Sequence, residues 1–315
     1  MDIYILFGQT ATGKTAKALE LVEKHTGEIV NFDSRQIYKK LTIITGKDIP
    51  KGSKFKAQSL KQEKYNIGYY ELLALGFQPS AKIWLYDIID PKQTFSSAEY
   101  VALAEEAIKD IIDRGKTPIL VGGTGYYLRH LIYGIPEMKT PEDWTLRKEL
   151  EIQTVGELQE ILKKKNGQML ADMNNSDRNN PRRLIRRIEI ANSGEEMLAV
   201  SPHETLSERL GNLAGCKQDI TLTYLPFFHA STDSVREKIA QRVDQRIADG
   251  AFQEVEDLLT EGYIAEDPGL NAIGYQQIIA YHKNKLSLAE TKKQWITKEV
   301  QYAKRQKTYF NKYFA

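Results

Sequence analysis

The chain has 315 residues, 41% hydrophobic and 27% charged, which supplies a core for one large domain or two smaller ones. A net charge of +2 is too small to mark a nucleic-acid binder by composition, so any polyanion surface must be local. One cysteine, Cys216, excludes an internal disulfide framework and cysteine-rich zinc modules.

The N-terminal apolar run, Ile3 to Phe7, lacks a basic flank and stops at Gly8, which reads as a buried parallel strand rather than a signal peptide. A glycine-rich turn follows, then a helix pattern from Lys14 to about His25. Glu28 to Phe32 and Ile83 to Ile89 read as further strands. Ser96 and Glu99 form a capping signature ahead of an amphipathic helix that ends near Arg114. Pro118 to Gly123 is another buried strand ending in glycines. Strands alternating with helices predict an α/β fold, a P-loop parallel-sheet core. From 137 to 215 the chain turns polar and helix-rich and is expected to form a helical insertion subdomain, with a turn cluster at Asn174 to Pro181. The core, 1–136, then resumes over 216–315 with one more strand, Thr221 to Phe228, and mostly helix after Ser234. The lysine-rich stretch Pro50 to Ser80 shows no period and is not assigned. No apolar run nears the roughly 20 residues that span a bilayer, so a cytoplasmic protein without a membrane partner is expected.

Gly8-Gln9-Thr10-Ala11-Thr12-Gly13-Lys14-Thr15 fits G-x-x-x-x-G-K-[ST] between a strand and a helix, the context such a loop requires. Its glycines let backbone N–H groups turn around an anion, and the helix N-terminus adds partial positive charge. Lys14 would reach the outer phosphate and the Thr15 hydroxyl would hold Mg²⁺. The loop alone does not separate a kinase, an NTPase and an enzyme that merely holds a diphosphate. Asp33 follows the second strand, and open α/β sheets place ligands at the carboxyl ends of their strands. It reads equally as a proton acceptor and as a turn or capping aspartate.

Arg182, Arg183, Arg186 and Arg187 form one basic helical face beside Leu184, Ile185 and Ile188, which face a core. Such a face is commonly just solvated charge, but no acid lies inside the cluster, and the uncompensated repulsion favours an absent polyanion. Near the C-terminus Trp295, Tyr302 and Tyr309 recur every seven residues, as do Lys298, Arg305 and Lys312. Two readings stand: a core seam with cations at its edge, or cations that track phosphates.

The loop at Gly8, Asp33-Ser34-Arg35-Gln36-Ile37-Tyr38, Val121 to Leu128, Pro181 to Glu189, Ala272 to Gln277 and Tyr302 to Tyr309 occur in the order of the tRNA dimethylallyltransferase family, which the chain resembles over nearly its whole length. Departures stand at Gln9 for a usual proline, Gln276 for a basic residue, Tyr309 for tryptophan and Thr45-Gly46-Lys47-Asp48 for T-A-K-P. The resemblance implies transfer of a dimethylallyl group from dimethylallyl diphosphate to the N6 amine of adenosine 37 in the tRNA anticodon loop. Asp33 would be the base, Thr10 would bond the bridging oxygen, Arg242 would bind diphosphate and Mg²⁺ would be the cofactor. The alternative for Arg242 is an ion pair with Glu237 or Asp244. Asp33, Ser34, Arg35, Gln36, Thr124, Arg147, Arg182, Arg183, Leu184, Ile185 and Arg186 would touch the anticodon stem-loop, and the enzyme would be a monomer. A small-molecule kinase explains only the loop and Asp33. An adenylate isopentenyltransferase leaves the arginine helix unexplained, and a non-catalytic RNA module leaves the loop unexplained.

Overall fold

The computed structural model describes residues 1–47, 49, 53–57, 65, 67–71, 82–134, 140, 142–193, 205–213, 220–228 and 231–314, without the side chains of 211–213 and 232. Ile3, Ile5 and Leu6 are wholly buried because their strand, β1 (Asp2–Gly8), has a parallel neighbour on each side. After α1 (Lys14–His25) the chain forms β2 (Gly27–Asn31), β3 (Lys54–Ala57), β4 (Gly68–Glu71), β5 (Lys82–Trp84), α2 (Ser97–Asp113), β6 (Thr117–Gly122) and α3 (Gly125–Tyr133). Among the described residues the sheet has the order β3-β4-β5-β2-β6-β1-β7, where β7 is Thr221–Phe227. The pairs from β5 to β7 are parallel, as expected, and β3 and β4 add an antiparallel edge. That edge arises in the unassigned Pro50 to Ser80 stretch, most of which lies outside the described residues.

The strand expected over Ile83 to Ile89 stops at Trp84. Leu85 and Asp87 take left-handed backbone angles, φ 67° and 55°, which a pleated strand cannot contain. The chain turns there, and Ile89 returns only for one isolated parallel bridge with Tyr38. The capping signature before α2 forms in full: Glu99 donates its N–H to the Ser96 hydroxyl, and Ser96 donates its N–H to the Glu99 carboxylate.

The chain divides into two compact units, Met1–Gly134 with Glu204–Ala315, and Ile135–His203. The division places α9 (Leu206–Leu213) with the sheet, whereas the insertion was expected to run to 215. The smaller unit holds α4 (Trp144–Leu150), α5 (Val155–Lys165), α6 (Gly167–Ala171), α7 (Asn175–Arg178) and α8 (Pro181–Ser193) around Leu158, Leu162, Leu184 and Ile188. Asp143, Thr154, Asn166 and Asn174 cap its first four helices. The larger unit ends with α10 (Thr232–Ala248), α11 (Ala251–Thr260), α12 (Tyr275–His282) and α13 (Leu288–Phe314). At 1.5 Å per residue α13 is about 40 Å long. Its Phe310 and Phe314 lie 4.9 and 5.6 Å from the ring of Phe7, which seats the helix on the end of β1 that leads into the glycine-rich loop.

Glu28 on β2 is buried with its charge. Arg114 grips it with two N–H donors at 2.6 and 2.7 Å, Trp84 donates at 2.9 Å and Lys116 stands 3.1 Å away. Burial alone would raise its pKa; the hydrogen bonds from Arg114, Trp84 and Lys116 outweigh that and hold it below the usual carboxylate value. Its contribution to stability is therefore present above the unfolded pKa and lost as pH falls through the lower folded value. Glu28→Ala should cost about 3 kcal/mol in urea denaturation near neutral pH, because Arg114 keeps Asp110 and some solvent. The loss should shrink as pH drops below 4.

Candidate active site

The loop after β1 exists because Gly8 can do what no other residue can. Its φ is 141°, and a Cβ there would stand 1.9 Å from the Phe227 carbonyl oxygen of β7. Gln9 donates its N–H to that same oxygen at 3.0 Å. Ala11 and Gly13 take left-handed angles, φ 58° and 84°, and Gly13 is the N-terminal cap of α1. Alternating backbone handedness of this kind curls N–H groups into an anion-binding concavity. The Thr12 hydroxyl donates to the Gln9 carbonyl at 2.8 Å, and the Lys14 ammonium donates to the carbonyls of Gly8 and Gln9. Thr15 follows in the first turn of α1.

Arg242 comes from α10 and donates to the Thr10 hydroxyl at 2.7 Å. Gly46, with φ 64°, makes room for it: a Cβ there would lie 2.3 Å from the guanidinium. The alternative ion pair is not formed. Asp244 pairs with Lys292 instead, and among the described residues Arg242 has no carboxylate partner.

Asp33 stands past the end of β2. One of its carboxylate oxygens accepts the Arg35 N–H at 2.9 Å, and its own N–H is held by Asn31 at 3.0 Å. That is the turn role. The other oxygen lies on the Gly123 side, 3.5 Å from where a Cβ on Gly123 would sit. Ser34 donates its N–H to the Thr124 hydroxyl at 2.9 Å, tying the ends of β2 and β6 together. Gln36 donates to the Gly46 carbonyl at 2.7 Å, and Arg35 to the Pro268 carbonyl at 3.3 Å. A cavity of about 360 Å³ is lined by the loop from Thr10 to Thr15, Asp33, Gln36 and Arg242. Three segments far apart in sequence thus meet at one space.

Gln306 is the residue that sequence reasoning passed over. It is buried on α13, accepts the Thr10 N–H at 2.9 Å and donates to the Gly123 carbonyl at 2.9 Å. One turn earlier Ala303 accepts from the Gln9 side chain at 3.1 Å, and Tyr302 donates to Gly123 at 3.4 Å. Burial raises the Tyr302 pKa, so its hydroxyl stays a neutral donor. The signal was available: a glutamine between Arg305 and Lys307 on a helix, on the flank of an aromatic stripe.

The arginines of the smaller unit behave differently from expectation. Leu184 and Ile185 are 0% and 5% exposed, so their side chains belong to that unit's core and are not offered to a ligand. The basic face is not uncompensated. Buried Glu189 accepts from Arg147 at 2.7 and 3.0 Å and from Arg186 at 3.0 Å, while Arg183 pairs with Asp177. Acids three residues along the helix and on its neighbour supply the missing charge, beyond the window in which an acid was sought. Arg182 is exposed.

Residues 36–313 match the family described as IPP transferase, and residues 1–59 match that described as isopentenyl transferase. The tRNA dimethylallyltransferase of Exiguobacterium sp. is 34% identical over 99% of this chain and 88% of its own length. That of Anoxybacillus flavithermus is 35% identical over 98% and 86%. Among solved structures, a tRNA delta(2)-isopentenylpyrophosphate transferase from Staphylococcus epidermidis superposes with a TM-score of 0.61 at 26% identity, over 100% of this chain and 91% of that one. A eukaryotic dimethylallyltransferase acting on tRNA, at 22% identity and a TM-score of 0.71 over 98% of this chain and 69% of that one, shares the fold.

Gln306→Ala takes one acceptor from the half-buried Thr10 N–H and leaves the buried Gly123 carbonyl with Tyr302, a loss of about 1–3 kcal/mol. The variant should remain folded by circular dichroism, melt earlier and bind inorganic pyrophosphate at least tenfold more weakly by calorimetry.

Proposed function

The chain belongs to the IPP transferase family, and from that premise we propose that it alkylates tRNA with a five-carbon allyl group. Dimethylallyl diphosphate is the donor, and the N6 amine of adenosine 37 in the anticodon loop is the acceptor. The observation that carries this reading is the meeting of Thr10, Arg242 and Asp33 at one cavity under the anion-binding loop.

In the reaction the amine nitrogen forms a bond to the terminal allylic carbon as that carbon's bond to oxygen breaks. The electron pair of the broken bond leaves with diphosphate. The loop N–H groups, Lys14 and Arg242 face that growing negative charge, and a planar guanidinium suits a phosphate in a two-point contact. The Thr10 hydroxyl, oriented by Arg242, is the donor available to the bridging oxygen. The amine must shed a proton as it gains the fourth bond, and the Asp33 carboxylate accepts it. The Asx turn fixes that carboxylate in place, so the turn and the base are two uses of one side chain.

The residues suit Mg²⁺. Among the described residues no cluster of three or more His, Cys, Asp or Glu side chains stands ready to enclose a metal alone. A small hard cation that keeps waters and takes phosphate oxygens needs only one or two protein oxygens, and the hydroxyl of Thr15, which lines the cavity, would supply one. Bound there, Mg²⁺ would neutralise part of the diphosphate charge.

The anticodon loop can splay its adenine out of the stack to reach Asp33. Ser34 and Thr124 would line its path. Arg182 and Arg183 would contact the RNA, while Arg147 and Arg186 act mainly through Glu189 to hold α8. The enzyme acts as a cytoplasmic monomer in this scheme; among the described residues no helix is long and apolar enough to cross a membrane.

The test is incubation with Mg²⁺, dimethylallyl diphosphate and unmodified tRNA, reading the five-carbon mass gain by nucleoside mass spectrometry, with AMP as a parallel acceptor. Label on tRNA that falls on the order of 10²–10⁴-fold in Asp33→Ala is expected. Label on AMP alone would make this an adenylate enzyme and remove RNA from the account.

A further inference from the structure

The motif from Ala272 to Gln277 has no part in the chemistry above, yet it forms a tight corner behind the cavity wall. Gly274 takes φ 98°, and a Cβ there would stand 2.4 Å from the Ile44 side chain and 2.9 Å from the Trp295 ring. Glycine lets the two sides come that close. Tyr275 opens α12, is wholly buried and donates its hydroxyl to Glu254 of α11 at 2.6 Å. The same carboxylate also holds backbone. One oxygen accepts the N–H groups of Thr42 and Ile43 at 2.9 and 2.6 Å, and the other accepts that of Ile44 at 3.2 Å. Three consecutive N–H groups and a phenol on one carboxylate fix both the side chain and the segment it grips.

That segment ends at the cavity. Past Ile44 the chain turns, and the N–H groups of Gly46 and Lys47 bond back to the carbonyls of Ile43 and Thr42 at 3.1 Å each. Thr45 and Gly46 line the cavity, and their carbonyls accept from Gln36 at 3.3 and 2.7 Å. Gly46 lies against two guanidiniums at once: a Cβ there would meet Arg242 at 2.3 Å and Arg246 at 2.6 Å. Arg246 is itself fixed, since it donates to buried Glu299 at 3.2 Å. Arg242 thus has the Thr10 hydroxyl as its hydrogen-bond partner and the Gly46 backbone as its wall. The exit of the turn is pinned by buried Lys47, which pairs with Asp87. Its entry is pinned by Glu254. Movement of the turn toward α10 would displace the Arg242 guanidinium, and movement away would release it.

We propose that Glu254, seated by Tyr275, is a positioning residue that sets the Arg242 guanidinium for the diphosphate through the turn from Thr42 to Gly46. The inference rests on the reading of Arg242 as a diphosphate ligand. Within it, the motif from Ala272 to Gln277 gains a use, because it supplies the phenol that orients Glu254 and the glycine that lets Ile44 pack. Glu254 does not itself line the cavity, so its effect reaches the ligand only through the turn. A carboxylate suits the task because both its oxygens accept, whereas a glutamine at 254 would turn an NH₂ group toward a backbone N–H or the phenol.

The experiment is calorimetric titration of inorganic pyrophosphate with Mg²⁺ into the full-length protein. Wild type, Glu254→Gln and Tyr275→Phe are each compared with Arg242 intact and with Arg242→Ala. With Arg242 intact, Glu254→Gln should bind about tenfold more weakly than wild type, the size of one charge-assisted hydrogen bond. Tyr275→Phe should weaken binding in the same direction by less, since it loses one donor and keeps the ring. In the Arg242→Ala background either substitution should change affinity by no more than about twofold, because the group through which both act is gone. In turnover assays KM for tRNA should stay at the wild-type value. Equal losses on the two backgrounds, which a merely structural carboxylate would give, overturn the positioning role. So does wild-type affinity in both Glu254→Gln and Tyr275→Phe while Arg242→Ala binds weakly. Wild-type affinity in Arg242→Ala overturns the diphosphate reading of Arg242 and the positioning role with it. Circular dichroism checks the fold of each protein, and where Glu254→Gln does not fold, Tyr275→Phe on the two backgrounds decides the question.

Discussion

The site depends on one amide. Gln306 accepts from the Thr10 N–H and donates to the Gly123 carbonyl, and so joins the loop after β1 to the end of β6 through a helix from the other end of the chain. The two strands are already parallel neighbours, but a sheet fixes only the residues in its ladder. Past Gly8 and Gly122 the backbone leaves the sheet, and something else must set the distance between the glycine-rich loop and Asp33. A primary amide is suited to this because it donates and accepts at once without charge. A lysine or glutamate at 306 would serve one neighbour and put an unpaired charge in a buried place. The aromatic packing of Phe310 and Phe314 on Phe7 places the helix so that the amide can reach.

The same distinction between neutral and charged partners sorts the arginines. Arg242 is anchored by a hydroxyl, which orients the guanidinium and leaves its charge available to an anion. Arg147 and Arg186 are anchored by buried Glu189, which spends the charge on structure. Arg114 is spent in the same way on Glu28. A cation beside a neutral acceptor is thus a candidate for ligand binding, and one on a buried carboxylate is a candidate for scaffold. Sequence shows arginines alike, and only the partner tells them apart.

What was legible in the sequence follows from this. The parallel strands, the loop, α1 and the Ser96–Glu99 cap were legible because each rests on local pattern: a short apolar run, fixed glycine spacing, a serine three residues before a glutamate. Asp33 was legible by its place after a strand. The antiparallel edge was not, since Lys54 to Ala57 and Gly68 to Glu71 lie at the rim and have no need of an apolar repeat. The end of β5 was missed because left-handed Leu85 and Asp87 carry no glycine to announce them. Gln306 and Glu189 were missed for a common reason. Thr10 is 296 residues from Gln306 and Arg147 is 42 from Glu189, and a polar residue on a helix looks solvated until such a neighbour is known.

Gln9 shows how a departure from a familiar pattern can be absorbed. Where the resembling family usually has proline, this chain has a residue with an N–H and a side-chain amide, and it uses both. The N–H donates to Phe227 of β7, and the amide donates to Ala303 of α13. Proline would fix φ by its ring and could make neither bond. Rigidity at the start of the loop is therefore obtained here by tethering it to two elements instead of by a covalent ring. The second tether lands one turn from Gln306 on the same helix, so α13 holds two consecutive loop residues, Gln9 and Thr10. A helix that grips the loop at adjacent residues limits both its translation and its rotation, which a single contact could not do. The geometry of the loop is thus held by groups on α13 that are 294 and 296 residues away in sequence.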